Sequence, residues 1–326
     1  MVAFGILGTG SAYPDNVLTN QDLEKMVDTS DEWIRTRSGI CERHIAEEGE
    51  STVDLCTAAG RNALDMAGVK PDEIDLIIVA TLTPDHYLPA SACELMERLE
   101  IPNCMAFDLN AACTGWIYAM TVARSMFQTG QIHKALIIGA DCLSKVTNFK
   151  DRSTCVLFGD GAGAAVMGEV EEGRGVLSSF GSCDGRMNRH LIIPGGGSKN
   201  PISKEVIEKD EQFIQMDGND VFKFAVRIMP EALNQALDAA GLQPEDLDWV
   251  IPHQANLRII DSAIKRLKLP AERFIVNLDR FGNTSAAAVG LAMDEAIRAG
   301  KIKKGQLLGL VAFGGGLTWG AAIIRY

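Results

Sequence analysis

Short, mostly apolar runs alternate along this chain with longer stretches in which apolar residues recur every three or four positions. The runs at 4–8, 76–80, 105–109, 136–139 and 162–167 predict β-strands. The periodic stretches at 52–67 and 90–99 predict helices, with shorter ones near 20–27 and 31–37. Alternation of this kind predicts a layered α/β architecture.

From about residue 177 the pattern starts again. Ala63-Leu64-Asp65-Met66-Ala67-Gly68-Val69 is matched by Ala236-Leu237-Asp238-Ala239-Ala240-Gly241-Leu242, an offset of 173 residues. The same offset carries 136–140 onto 309–313 and Asn110 onto Asn283, and the glycine-rich stretch 158–167 is similar to 313–324. One register held over so many elements predicts an internal duplication, two α/β halves at 1–175 and 176–326 packed about a pseudo-twofold axis. A length of 326 residues, beyond the size at which one core keeps growing, agrees with two halves. A polar insertion at about 184–212 predicts a surface lid or hairpin, or else a disordered loop. Helical periodicity resumes at 218–240, where Pro230 predicts a break or a kink.

Composition adds exclusions. At 47% hydrophobic and 23% charged, the chain has material for a core and no sign of extended disorder. A net charge of −12 argues against nucleic acid as a main partner, and any polyanionic ligand needs a local basic patch. No run approaches the roughly 18 apolar residues of a membrane span, and residues 1–7 lack the basic start of a signal peptide. The eight cysteines form no C-x-x-C pair and no cluster with histidine at zinc spacing. Free thiols, no metal and a cytoplasmic location are the expectation.

The run at 105–109 leads into Asn110-Ala111-Ala112-Cys113-Thr114-Gly115, which predicts a strand, a turn and a helix to about Gln128 with a thiol at the apex. A helix N-terminus favours the thiolate, so Cys113 is a candidate nucleophile; a small buried hydrophobe is the plainer reading of a free cysteine. The repeat shifts that balance. It sets Cys113 opposite Ala286 and His253 opposite Ala80, so each half keeps a different reactive group at an equivalent strand end, where ligands gather in α/β sheets. His253 lies in Pro252-His253-Gln254-Ala255-Asn256, a context that His44, His86, His133 and His190 lack. Asn283, in Gly282-Asn283-Thr284-Ser285, suits a helix N-cap or a fixed amide donor beside a developing oxyanion. The glycines of Phe313-Gly314-Gly315-Gly316-Leu317-Thr318 predict a hairpin, either a plain β-turn or one whose N–H groups approach a ligand. Gly159-Asp160-Gly161-Ala162-Gly163 imitates a dinucleotide fingerprint, but a strand-like run follows it and no Walker lysine is present. A Cys–His–Asn set also serves papain-like proteases, whose C-G-[SA]-C-[WY] signature is missing here.

In order and spacing, the segments around Cys113, Phe158-Gly159-Asp160-Gly161, His253, Asn283 and the triple glycine resemble the β-ketoacyl-[acyl-carrier-protein] synthase III family, thiolase-fold enzymes that prime type II fatty acid synthesis. The similarity runs from Gly8-Thr9-Gly10-Ser11, through Thr29-Ser30-Asp31-Glu32-Trp33-Ile34 and Arg37, to the C-terminus. The resemblance implies a homodimer of five-layered αβαβα subunits and a two-stage reaction without cofactor or metal. Cys113 would take a short acyl group, acetyl by default, from acyl-CoA. Donors from His253 and Asn283 would then assist decarboxylation of malonyl-acyl-carrier protein and its condensation to a 3-oxoacyl product. The backbone N–H groups of Cys113 and Gly315 would hold the tetrahedral oxyanion. By the same resemblance CoA meets Thr29, Trp33, Arg37, Arg152, Gly218, Phe222, Ala225 and Asn256, with its adenine between Trp33 and Arg152. The acidic carrier protein would dock on a basic face including Lys223, Gln254, Arg258, Lys265 and Arg266. Leu88 stands where many members carry a phenylalanine that the partner subunit lends to the acyl pocket, which leaves acyl length and branching open. The rivals are a condensing enzyme of polyketide or signalling-metabolite synthesis, a cysteine hydrolase, and a silent binder of carrier proteins.

Overall fold

The structure, a computed structural model, describes residues 3–326; Met1 and Val2, with which the expected first half begins, lie outside the described residues. Five strands form the first sheet: β1 (Ala3–Ala12), β2 (Leu76–Ala80), β3 (Met105–Leu109), β4 (Ala135–Cys142) and β5 (Asp160–Val170), in the order β1-β5-β4-β2-β3. Four form the second: β6 (Gly175–Cys183), β7 (Trp249–Pro252), β8 (Leu307–Gly314) and β9 (Thr318–Arg325), in the order β7-β8-β9-β6. Pairing senses correspond. The pairs β2 with β4 and β7 with β8 are parallel, whereas β5 and β9 run antiparallel to both their neighbours. Even the register carries over, since Leu76 pairs with Ala135 and Trp249, 173 residues on, pairs with Leu308. A single parallel bridge, Val250 to Phe274, stands where the second sheet has no counterpart of β3.

Five helices complete the layers: α1 (Thr52–Ala67), α2 (Gly115–Gln128), α3 (Gly218–Ala240), α4 (Leu257–Leu267) and α5 (Ala287–Arg298). Helix α1 covers the outer face of the first sheet, α3 the outer face of the second, and α2 and α5 lie between the sheets in contact with both. This is the αβαβα order. Strands β2 and β4 are buried on both faces, which is why they read as continuous apolar runs without alternation. The central helices must come close to the sheets, and glycines make room. A Cβ on Gly163 of β5 would lie 2.4 Å from the Leu291 nitrogen of α5.

Local signals set most helix ends. Helix α1 starts on a capping box of Ser51 and Asp54 and stops at left-handed Gly68. The helix expected near 20–27 is shorter, Asn20–Leu23. Helix α3 runs unbroken through Pro230, against the expectation of a break. Proline cannot donate to the Val226 carbonyl four residues back, and Arg266 Nη1 of α4 donates to that carbonyl instead, at 2.7 Å. The insertion is hairpin-like and ordered: Leu191–Ile192 pairs with Gln215–Met216, and Lys204–Glu208 is a short helix. Among the described residues no helix is long and apolar enough to cross a membrane.

Candidate active site

After β3 the chain turns sharply. Asn110 Oδ1 accepts from the Ala112 N–H at 3.2 Å, Ala112 adopts φ 46, and the 3-10 turn Ala112–Thr114 sets Cys113 at the start of α2. The other half repeats the device. Asn283 Oδ1 accepts from the Ser285 N–H at 3.0 Å, Ser285 adopts φ 52, and α5 follows. A left-handed non-glycine residue costs about 1–2 kcal/mol, so an Asn side chain stabilising the turn in each half accounts for both.

Cys113, His253 and Asn283 line one cavity of about 100 Å³, together with Phe313 and Gly314. His253 follows β7, anchored by its N–H to the Val311 carbonyl at 2.8 Å, with the Phe313 ring edge-on at 5.5 Å. It is 1% exposed. Burial holds the imidazole down to about 3, so it is neutral in the physiological range, and its Nδ1 has no partner. Asn283 is clamped around Phe158: its N–H donates to the Leu157 carbonyl at 2.9 Å and its carbonyl accepts from the Gly159 N–H at 3.1 Å. With Oδ1 taken by Ser285, its Nδ2 is the polar atom left for a ligand.

Burial pushes the Cys113 thiol up to about 12, against the lowering by the nearby Ser285 hydroxyl. Desolvation outweighs the helix N-terminus, and the resting sulfur carries its proton. Its backbone surroundings suit an oxyanion. Neither the Cys113 N–H nor the Gly315 N–H finds an acceptor among the described residues. The hairpin that carries Gly315 is pressed onto the nucleophile turn, for a Cβ on Gly314 would lie 2.6 Å from the Cys113 nitrogen. Thr318 Oγ1 joins the two segments, within hydrogen-bonding distance of the Ala111 carbonyl (3.0 Å), the Gly315 carbonyl (3.2 Å) and Thr114 Oγ1 (2.9 Å).

A second cavity, of about 360 Å³, shares Cys113, Phe158 and Leu191 with the first. Its other walls include Leu82, Leu143, Ile193 and Ile214 beside Tyr87, Asn110 and Ser285, so it is a mainly apolar chamber at the sulfur. Leu88 is not among them. It is 88% exposed and belongs to an adjoining groove of about 920 Å³ with Thr52, Pro84 and Val146, which shares Leu82 and Tyr87 with the chamber.

Towards the surface, the Arg152 guanidinium lies 4.9 Å from the Trp33 ring centroid, and its Nη1 donates to the Asp28 carbonyl at 2.8 Å. Gly218, Phe222 and Asn256 line the 100 Å³ cavity. Asn256 caps α4 and donates from Nδ2 to the Arg37 carbonyl at 3.0 Å. Thr29 keeps a buried hydroxyl without a partner. Ala225 is sealed in the core and is not a wall of the cavity. Lys223 is paired with Asp220 at 3.0 Å, Arg258 sits over the Phe222 ring at 5.0 Å, and Lys265 is exposed.

Gln254 requires a correction. Expected on a docking surface, it is 1% exposed and fully engaged inside. Its Nε2 donates to the Pro252 and Ile275 carbonyls at 2.7 and 3.1 Å, and its Oε1 accepts from the Asn277 N–H at 3.1 Å. His190, Asp217 and Asp220 bring three polar atoms within 4.8 Å of one another, an arrangement explained by capping, since Asp217 accepts the Asp220 N–H at the start of α3. Sequence reasoning passed over Thr318 and Ser285. Ser285 had a signal there, because the repeat sets it opposite Ala112, beside the nucleophile.

Two α/β halves in five layers, with a cysteine turn in one and a histidine strand end in the other, define a thiolase-fold acyltransferase. The family model for 3-oxoacyl-[acyl-carrier-protein (ACP)] synthase III matches residues 107–185, and that for its C-terminal part matches 237–326. A curated relative from Caldanaerobacter subterraneus, a β-ketoacyl-[acyl-carrier-protein] synthase III, is 53% identical over 100% of this chain and 98% of its own. The crystal structure of 3-oxoacyl-[acyl-carrier-protein] synthase III from Aquifex aeolicus superposes with a TM-score of 0.92 at 45% identity, covering 99% of this chain and 100% of that one. The priming β-ketosynthase of the R1128 polyketide pathway superposes at 0.91 with 35% identity, covering 99% and 96%. The chain belongs to the 3-oxoacyl-[acyl-carrier-protein] synthase III family.

Proposed function

We propose that this protein catalyses the priming condensation of type II fatty acid synthesis. Cys113 attacks the thioester carbonyl of a short acyl-CoA, acetyl-CoA by default, and CoA leaves. The free N–H groups of Cys113 and Gly315 receive the oxyanion, and the acyl chain occupies the apolar chamber. Malonyl-acyl-carrier protein then enters by the 100 Å³ cavity. Asn283 Nδ2 and the neutral imidazole of His253 donate to its thioester carbonyl as CO2 departs, stabilising the enolate, which attacks the acyl-Cys113 carbonyl to form the 3-oxoacyl-carrier protein. A neutral imidazole suits this step, because it donates a hydrogen bond without surrendering a proton. The observation that carries the reading is the meeting of Cys113, His253 and Asn283, from both halves of the chain, on one cavity.

The outer residues take supporting roles. Adenine stacks on Trp33, and because two ring-stacking distances come to about 7 Å, Arg152 at 4.9 Å must first swing away. Thr29, Arg37, Gly218, Phe222 and Asn256 line the route for the rest of CoA. The carrier protein meets Lys223, Arg258, Lys265 and the part of Arg266 not held by Val226. Two copies join as a homodimer, in which each Leu88 completes the partner's acyl chamber. The halves 1–175 and 176–326 are read as duplicated units, supported by the shared strand order and left-handed turns. A cytoplasmic site fits eight free cysteines. Priming of a polyketide is the second reading, supported by likeness to the R1128 enzyme; the higher identity of synthase III relatives favours the first.

The test is direct. Protein mixed with acetyl-CoA should gain one acetyl group on Cys113 by intact mass, stable until malonyl-acyl-carrier protein is added and then consumed with release of CO2. An adduct lost to water alone would overturn the reading in favour of a hydrolase.

A further inference from the structure

The two N–H groups that receive the oxyanion come from different halves of the chain. Cys113 belongs to the nucleophile turn, and Gly315 to the hairpin between β8 and β9. No sheet ladder fixes their spacing. Gly315 lies between the paired ends Gly314 and Thr318, and among the described residues no backbone group hydrogen-bonds to it. A glycine so placed is free to turn its peptide planes. A side chain holds it instead, for the Thr318 hydroxyl reaches the Gly315 carbonyl at 3.2 Å.

The same oxygen reaches the other segment. Thr318 Oγ1 lies 3.0 Å from the Ala111 carbonyl, which also accepts the Thr114 N–H at 3.2 Å and so closes the turn that presents Cys113. Thr114 Oγ1 is 2.9 Å from Thr318 Oγ1. Thr114 is fully buried, and among the described residues its hydroxyl has no other partner. A buried hydroxyl that donates to nothing is costly, so Thr114 donates to Thr318. That leaves the single hydrogen of the Thr318 hydroxyl for the Ala111 and Gly315 carbonyls, one in each segment. Packing of the methyl groups fixes both rotamers: a Cβ on Gly320 would meet Thr114 Cγ2 at 3.1 Å, and one on Gly316 would meet Thr318 Cγ2 at 3.0 Å.

We propose that Thr318 is the positioning residue of the oxyanion hole, its hydroxyl holding the Cys113 and Gly315 N–H groups at the spacing that receives the thioester oxygen. The inference rests on the reaction proposed above and adds what fixes its donors. Thr318 touches neither substrate nor the reacting atoms, and acts through the two carbonyls it ties together. The hole is needed when charge develops on the thioester oxygen beside Cys113. Departure of CO2 does not need it, because Asn283 and His253 serve that step. Loss of the hydroxyl therefore separates the two stages.

The experiment measures single-turnover acetyl uptake by quenched intact mass over a range of acetyl-CoA concentrations. Malonyl-acyl-carrier protein is then added to fully acetylated protein, and CO2 release is timed. Thr318→Val keeps the shape and removes the hydroxyl. Its maximal acetylation rate should fall by about 10²-fold, the cost of a displacement of about 1 Å at a reacting group. The half-saturating acetyl-CoA concentration should stay the same, because the hole binds the oxyanion and not the resting thioester. CO2 release should stay near the wild-type rate, and Thr318→Ser should recover most of the lost acetylation. Acetylation of Thr318→Val at the wild-type rate, a changed half-saturation alone, or equal slowing of both stages would overturn the assignment. If Thr318→Val does not fold, Thr114→Val removes the donor that orients the hydroxyl and should show the same split at smaller size; equal slowing of both stages there would also overturn it. Wild-type protein that takes up no acetyl group would overturn the reaction itself.

Discussion

Asn283 shows how one side chain is aimed by its neighbours. Its carbonyl oxygen is occupied by the Ser285 N–H, so only the amide nitrogen is left to a ligand. Asn283→Asp preserves that acceptor and removes the donor. It should cut CO2 release from malonyl-acyl-carrier protein by about 10²–10³-fold while the acetyl adduct forms at a nearly normal rate. Gly314 makes a complementary point, because any Cβ there meets the Cys113 nitrogen at 2.6 Å. Gly314→Ala should slow acetyl uptake by about 10²-fold, since a displacement of about 1 Å at a reacting group costs that much, with circular dichroism unchanged. At this scale the sequence was legible in part. The repeat singled out Cys113 and His253 as departures from symmetry, while Asn283 matches Asn110 and was reached through its turn motif. It said nothing of burial, which sets the protonation of Cys113 and His253 against the unburied expectation, nor of direction, which turns Gln254 inward.

Elements were more readable where their own residues decide them. The bounds of α1, β2 and β3 follow from caps and apolar runs, whereas β1 reaches Ala12 because it pairs with β5, a fact of the partner strand. Pro230 in α3 could be understood only with α4 beside it. Arg266 donates to the carbonyl that Pro230 orphans, so the two residues are coupled across helices. Arg266→Ala should destabilise the protein by about 1–2 kcal/mol in denaturant melts, and by clearly less in a Pro230→Ala background, where residue 230 regains its own N–H. Equal costs in both backgrounds would mean the contact is incidental.

For the whole molecule, the layered α/β class followed from alternating elements and the two halves from the 173-residue offset, while the five-layer stacking came with the family resemblance and is seen directly only in space. Association was not legible in pattern at all. Strand β3 forms one edge of the first sheet and its Met105 is 53% exposed, while Tyr87 and Leu88 project from the same half. Met105→Asp should convert a dimer to a monomer by light scattering and lower acetyl uptake with it; a wild-type monomer would refute the proposed pairing. Cys113 itself belongs to two chambers, a narrow one approached past His253 and Asn283 and an apolar one beyond. A single sulfur at such a junction cannot host both thioesters together, so the first carrier must depart before the second arrives. Kinetics should therefore be ping-pong, with parallel lines in double-reciprocal plots of the two substrates.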